Sequence, residues 1–306
     1  MKLIKKIKKL AADRKLISRN IRGMEHTIQC SIRSDALHTS ALFSKEKITT
    51  DEIFLEKEVV VSFTTFSKKI HEVYLVIESI AQQTIRPNRL ILWLDEAEFN
   101  MDNIPHILHR QIERGLEVRF CPNYRSYKKI IPTLELCPES YIITIDDDVL
   151  YGFDCLEILL QESKRNPSVI VGHRAHEITL CTQREVKRYK KWKYGLTEGK
   201  SSHRILLTGC GSILYPPHSL HPDVMNIERF TELAPSTDDL WLKVMAVRNG
   251  TICKKTDYSS GSYSLKRNRD IGLAQENIRR GGNDKQCDAL LAFYPEVLET
   301  LRQVKN

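Results

Sequence analysis

From Glu58 to Asp148 the chain alternates short apolar runs with segments of helical period. Residues 59–63 read as a buried strand, and Ile70, Val73, Tyr74, Ile77, Ile80 and Ala81 fall on one face of a helix. Pro87 precedes a second strand over 90–94. A helix near 104–114, a strand over 116–121, a helix near 128–136 and a strand from Tyr141 continue the pattern. Strands separated by helices cross over to run parallel, and strands apolar on both faces must be covered on both. The expected fold is therefore α/β, a mostly parallel central sheet flanked by helices.

The fourth strand runs directly into Asp146, Asp147 and Asp148, and a helix over 153–165 follows. Ligands of open α/β sheets bind beyond the carboxyl ends of strands, which makes this triple carboxylate the expected site. Adjacent carboxylates repel one another unless a cation or donated hydrogen bonds offset them. Mg²⁺ or Mn²⁺ suits such oxygen ligands and completes its shell with substrate phosphates. An Asp run after a strand also serves to open a turn and cap the next helix.

The second half is less regular. A strand over 169–172 is followed by a polar segment, 174–200, that carries Trp192 and Tyr194. A strand over 205–208 leads into the run 209–217, in which Gly209, Gly211 and Ser212 allow close backbone approach or a tight turn. Ser236 or Thr237 can cap a helix over 240–249, with Asp238 and Asp239 in its first turn, where the dipole favours them. A short strand over 251–254, basic residues over 266–280 and a final helix over 284–301 complete the chain. His173, after a strand, is expected to be a satisfied structural histidine.

No G-x-G-x-x-G follows the first strand, and no G-x-x-x-x-G-K-[ST] occurs, so dehydrogenases and P-loop nucleotidases are poor candidates. Residues 1–24 hold nine Lys or Arg against Asp13 alone, an excess equal to the +8 of the whole chain. The rest is formally neutral, which argues against a nucleic-acid partner. Leu3, Ile7, Leu10, Ile17, Ile21 and Met24 fall at helical spacing among these charges, giving a basic amphipathic helix. Such a helix lies on an anionic membrane surface or packs its stripe on the body or a partner. Residues 25–57 read as a connector with some helix. Eight scattered cysteines without metal or disulfide spacing read as reduced, and no apolar run is long enough to cross a membrane, so a cytoplasmic location is expected.

Several ordered pieces resemble the family 2 type of nucleotide-sugar glycosyltransferases, which have the GT-A fold, in the branch found among bacterial capsule and surface-polysaccharide enzymes. They are Ser62-Phe63-Thr64-Thr65, Asp95 after the second strand, Asn123 with Lys128 and Lys129, Thr144 to Asp148, the run 209–217, and Thr237 to Trp241. The likeness spans about 59–286. It implies a single GT-A domain over 58–306, with a nucleotide-sugar half (58–150) and an acceptor half (151–306), preceded by the helix and connector of 1–57.

The resemblance further implies a metal-dependent inverting transferase that moves a sugar from a nucleotide donor, by resemblance a UDP-sugar, to a hydroxyl of a saccharide or lipid-linked saccharide. The helix would bring it to the inner membrane face. Thr64, Asp95, Lys129 or Lys128, and Asp146 or Asp147 would hold the donor; Asp148, with Asp146, would hold Mn²⁺ or Mg²⁺. Asp239, with Asp238, would supply the general base. Gly209, Gly211 and Ser212 would approach the sugar or diphosphate, Trp241 would offer an apolar platform or, as is commoner for a tryptophan one turn into a helix, join the core, and one or two of Lys266, Arg267, Arg269, Arg279 and Arg280 would close over the diphosphate. The rivals are a sugar-nucleotide nucleotidyltransferase, whose Gly-rich basic signature is missing after the first strand, and a non-catalytic carbohydrate- or nucleotide-binding module.

Overall fold

The computed structural model describes residues 2–182, 185–258, 262–265, 277 and 281–304. In chain order the elements are α1 (Lys2–Phe43), β1 (Val59–Thr64), α2 (Val73–Ala81), β2 (Arg89–Asp95), α3 (His106–Ile112), β3 (Leu116–Cys121), α4 (Ile131–Leu136) and β4 (Tyr141–Thr144). There follow β5 (Val149–Leu150), α5 (Cys155–Arg165), β6 (Ile170–Gly172), β7 (Ala175–Glu177), β8 (Lys200–Ser202), β9 (Ile205–Leu207) and β10 (Ile213–Tyr215). The chain ends with α6 (Ile227–Leu233), α7 (Asp238–Arg248), β11 (Cys253–Lys255), β12 (Tyr263–Ser264), α8 (Gly282–Phe293) and α9 (Pro295–Gln303).

Eight strands form one sheet in the order β3-β2-β1-β4-β10-β6-β11-β8. The β3-β2-β1-β4 half is parallel throughout, as its helical crossovers require. β10 lies antiparallel between β4 and β6, while β6 and β11 pair in parallel. One apolar cluster joins α1, α2 and α5 to one face of β1, β2 and β4, and a second packs α6 to α9 with β9 and β10. The protein is thus α/β, with a mostly parallel central sheet flanked by helices.

Four expectations need correction. The N-terminal helix does not give way to a connector at residue 25; it runs for 42 residues to Phe43, because Leu37 and Ala41 are buried against the body. The run 209–217 contains a sheet strand, β10, hidden from periodicity by its three-residue length. The last helix is broken at Tyr294, where Pro295 cannot continue α8 and instead opens α9. The Asp cluster does not cap a helix: β5 intervenes, and α5 begins only at Cys155.

All eight cysteines are free thiols. Among the described residues no helix is long and apolar enough to cross a membrane.

Candidate active site

The carboxyl ends of β1 and β4 open into a cavity of about 840 Å³, lined by Thr64, Thr65, the aspartates 146–148 and, from the other half of the chain, Gly209, Asp238 and Asp239. The aspartate turn is fixed by its backbone. Asp146 N donates to Tyr151 Oη at 2.9 Å, and Leu265 N donates to Asp148 O at 2.8 Å beside the β5–β12 pairing.

Each carboxylate of the turn has a different environment. Asp147 is buried and accepts from Thr65 Oγ1 at 2.7 Å and Lys69 Nζ at 2.8 Å. Burial pushes its carboxyl above the ordinary value, with Lys69 opposing. Asp148 is 44% exposed and meets the same ammonium at 3.1 Å. Burial would lower the Lys69 ammonium, but Asp147 and Asp148 outweigh it and hold it charged. Asp146 accepts from Lys129 Nζ at 3.0 Å.

Lys129 is where the two acidic groups meet. A one-turn helix over Arg125–Lys129 is anchored by Tyr127, whose ring stacks on Phe230 and whose hydroxyl donates to Ala234 O at 2.6 Å. That anchoring buries the Lys129 ammonium 3.0 Å from both Asp146 and Asp238. Burial alone would depress it; the three nearby carboxylates, Asp146, Asp238 and Asp239, overcome this and hold it well above the usual lysine value. Lys128 is also buried and lines the cavity, yet it has no ion pair among the described residues, and burial lowers its ammonium. The charges of Asp95 and Glu98 oppose that effect only in part, and an anionic ligand would offset the remaining cost of burial. Of the two lysines, Lys128 is therefore the one free to meet a phosphate.

Asp239 opens α7 and accepts from Gly209 N at 3.1 Å. Burial first, and Asp238 second, push its carboxyl up to about 7, against the pull of Lys129. The start of α7 is not held by a hydroxyl cap: Thr237 makes no capping bond, and Ser236 Oγ is bonded to Asn277 and Gln286. Gly209 is the reason the groups can converge, since a Cβ there would lie 2.6 Å from Lys129 Nζ and 3.1 Å from Asp146 Oδ1.

No family model and no curated protein matches this chain.

Of the residues singled out from sequence, Thr64, Lys128, Lys129, Asp146, Asp147, Asp148, Gly209, Asp238 and Asp239 all line this one cavity. Four others do not. Asp95 is buried at the end of β2, where Oδ1 accepts from Ala97 N at 3.0 Å and fixes a turn. Gly211 serves a close approach to Arg174, which a Cβ would strike, and not to a ligand. Ser212 is buried at φ 58° with its hydroxyl on Gly211 O at 2.6 Å. Trp241 is 0% exposed, packed against Phe230, with Nε1 donating to Val224 O, so it cannot be a sugar platform. His173 is structural, as expected: buried between Thr256 Oγ1 and Cys155 O, with burial lowering it to about 4. The basic residues Lys266, Arg267, Arg269, Arg279 and Arg280 lie outside the described residues.

The cavity also holds residues that no local pattern announced. Lys69 comes from a one-turn helix after β1, and Tyr189, Tyr194, His176 and Asn283 form a wall on the Asp239 side. Tyr194 alone carried a signal, as an aromatic in an otherwise polar segment.

A divalent cation fits this site in a restricted way. Among the described residues no three His, Cys, Asp or Glu side chains cluster to enclose one. Mg²⁺ held by one or two carboxylates plus ligand phosphates needs no such cage. Asp148, the most exposed of the three, and Asp146 are the residues able to contribute.

Proposed function

We propose that the protein is an inverting glycosyltransferase that moves a sugar from a nucleotide-diphosphate donor, a UDP-sugar by resemblance, to a saccharide hydroxyl in surface-glycan assembly. The observation that carries this reading is the convergence of two acidic groups, almost a hundred residues apart in sequence, on one cavity with Lys129 between them. The mostly parallel sheet with its site at the carboxyl ends of β1 and β4 supports it.

The division of labour follows from the environments. Thr64 and the aspartate turn face the nucleotide, and Lys128 supplies positive charge for the diphosphate. Asp148 and Asp146 would hold Mn²⁺ or Mg²⁺, which neutralises charge developing on a leaving diphosphate. Asp239, with a carboxyl near neutrality, is suited to take the proton of an incoming hydroxyl. Lys129 holds the two groups at fixed separation, and Lys69 opposes the effect of burial on Asp147 beside the donor.

The helix α1 adds a location. Cys30, Leu37 and Ala41 face the body, whereas Ile17, Ile21, Met24, Ile28 and Ile32 are exposed, each between 54% and 64%. At about 100° per residue, Ile28 points roughly opposite to Cys30. An apolar stripe beside a segment with nine basic residues matches an anionic bilayer better than a like-charged second copy. We read α1 as a peripheral attachment to the membrane face where lipid-linked acceptors are held.

The test is a thermal-shift series with nucleoside diphosphates, with Mn²⁺ and with chelator, followed by a donor-hydrolysis assay. UDP with Mn²⁺ is expected to raise Tm, because a ligand that binds only the folded state stabilises it. Slow hydrolysis of a UDP-sugar is expected with metal and not with chelator. No shift with any nucleoside diphosphate would refute the reading, and a shift without turnover would identify a binding module.

A further inference from the structure

The cavity wall on the Asp239 side differs in kind from the rest. Tyr194 is 41% exposed, with its ring 4.4 Å from His176 and edge-on to Tyr189 at 5.5 Å. Tyr189 in turn packs on buried Trp192 at 4.7 Å, and Trp192 Nε1 donates to Lys187 O at 2.7 Å. The segment is fixed to β7 by Gly195 N donating to His176 Nδ1 and by the paired backbones of Glu177 and Lys193. Tyr189, Tyr194 and Asp239 line the same cavity, and after burial the charge of Asp239 is the next influence raising the Tyr189 phenol.

A second observation points to a ligand. Asn283, in the first turn of α8, is 6% exposed and lines the cavity, yet its Oδ1 has no hydrogen-bond partner among the described residues. Its neighbour Asp284 accepts from Tyr189 N at 2.6 Å, so Asn283 is tied to the aromatic wall. Buried amide oxygens are seldom left unpaired, so this side chain of the cavity wall keeps an acceptor that a small side-chain rotation can offer to a ligand's donor. A pyranose ring offers what this wall lacks: an apolar C–H face for the exposed tyrosine and hydroxyl donors around its rim.

We propose that Tyr194, Tyr189 and Asn283 form the acceptor subsite and take a pyranoside, its apolar face on Tyr194 and one hydroxyl donating to Asn283 Oδ1, so that another hydroxyl meets Asp239. The proposal rests on the transferase reading above. A nucleoside base also stacks on aromatic rings, but exposed Phe66, with the Lys69 ammonium 5.3 Å from its ring centre, stands on the nucleotide side of the cavity and serves that purpose there.

The experiment is saturation-transfer NMR on the full chain with UDP and Mn²⁺ present, using the methyl α- and β-pyranosides of glucose, galactose and mannose as probes. Transfer to the ring protons of at least one glycoside is expected. Tyr194→Ala should weaken it by roughly tenfold, as loss of an aromatic contact does. Tyr194→Trp should retain it, and Asn283→Leu should weaken it too. Tm with UDP and Mn²⁺ should shift equally in all variants, which checks folding and isolates the donor side: its failure everywhere sinks the transferase reading, not the subsite alone. Absence of transfer to every glycoside in the wild type, undiminished transfer in both weakened variants, or competition at the tyrosines by free uridine would overturn the proposal.

Discussion

Burial and Asp238 hold the Asp239 carboxyl at about 7, so the residue is both a fitted base and a burden on the fold. In the proposed transferase the base acts in its ionised form, so kcat/KM is expected to rise with pH through about 7. Asp238→Asn removes the like charge and should move that rise to lower pH. Asp239→Asn should slow transfer roughly a hundred- to ten-thousandfold while leaving nucleoside diphosphate binding near normal. The stability effect has the opposite sign. An unfolded chain returns this carboxyl to 3.8, so the folded state is favoured by proton uptake, fully below that value and progressively less as pH rises through about 7. Asp239→Asn is therefore expected to melt higher than the wild type near pH ~8 and alike near pH ~4, which a pair of melting curves decides. At this scale the aspartates were legible because consecutive acids after a strand, or at a helix start, are locally unusual. Lys69, Tyr189 and Asn283 were not, since each is a lone residue in an ordinary segment and gains meaning only from what the fold brings near it.

Among the elements, the bend at Gly209 between β9 and β10 governs how closely the two acidic groups approach. Gly209→Ala places a methyl against Lys129 Nζ, which two carboxylates pin in place. A cost of roughly 1–3 kcal/mol is expected, together with loss of nucleotide binding, and calorimetry on the variant measures both. The anchoring of α1 depends on a different group. Glu78 on α2 is fully buried and bonds Arg114, Gln111 and Ser40, the last of which belongs to α1. Glu78→Ala leaves the Arg114 guanidinium buried without its partner, and denaturant unfolding should register a loss of roughly 3–5 kcal/mol. β1, β2 and β4 could be read from sequence to within a residue or so because their apolar runs are nearly unbroken and buried, whereas β3, at the sheet edge, was legible from the alternation of Glu117 and Arg119 with apolar residues. Three-residue strands such as β8 and β10 carry no period to read. Trp241 shows the limit in the other direction: its place in the motif suggested a ligand contact, and its size decided in favour of the core.

For the molecule as a whole, the excess positive charge and the candidate site cavity reside in different parts of the chain. Removing residues 2–24 should abolish sedimentation with phosphatidylglycerol vesicles and leave both Tm and nucleotide binding unchanged; retained sedimentation would reject α1 as the attachment. The α/β class was evident from the alternation of strands and helices alone. The order of the sheet was not, because β10 enters it against the direction of its neighbours through long-range pairing that no local signal encodes. That placement has a practical result for anyone cutting the chain. β4 shares one flank with β1 and the other with β10, a strand supplied from more than sixty residues downstream. A fragment stopped at residue 150 would display a naked row of amides and carbonyls along that flank, inviting self-association, and the first half of this chain should be recovered from cells as inclusion bodies.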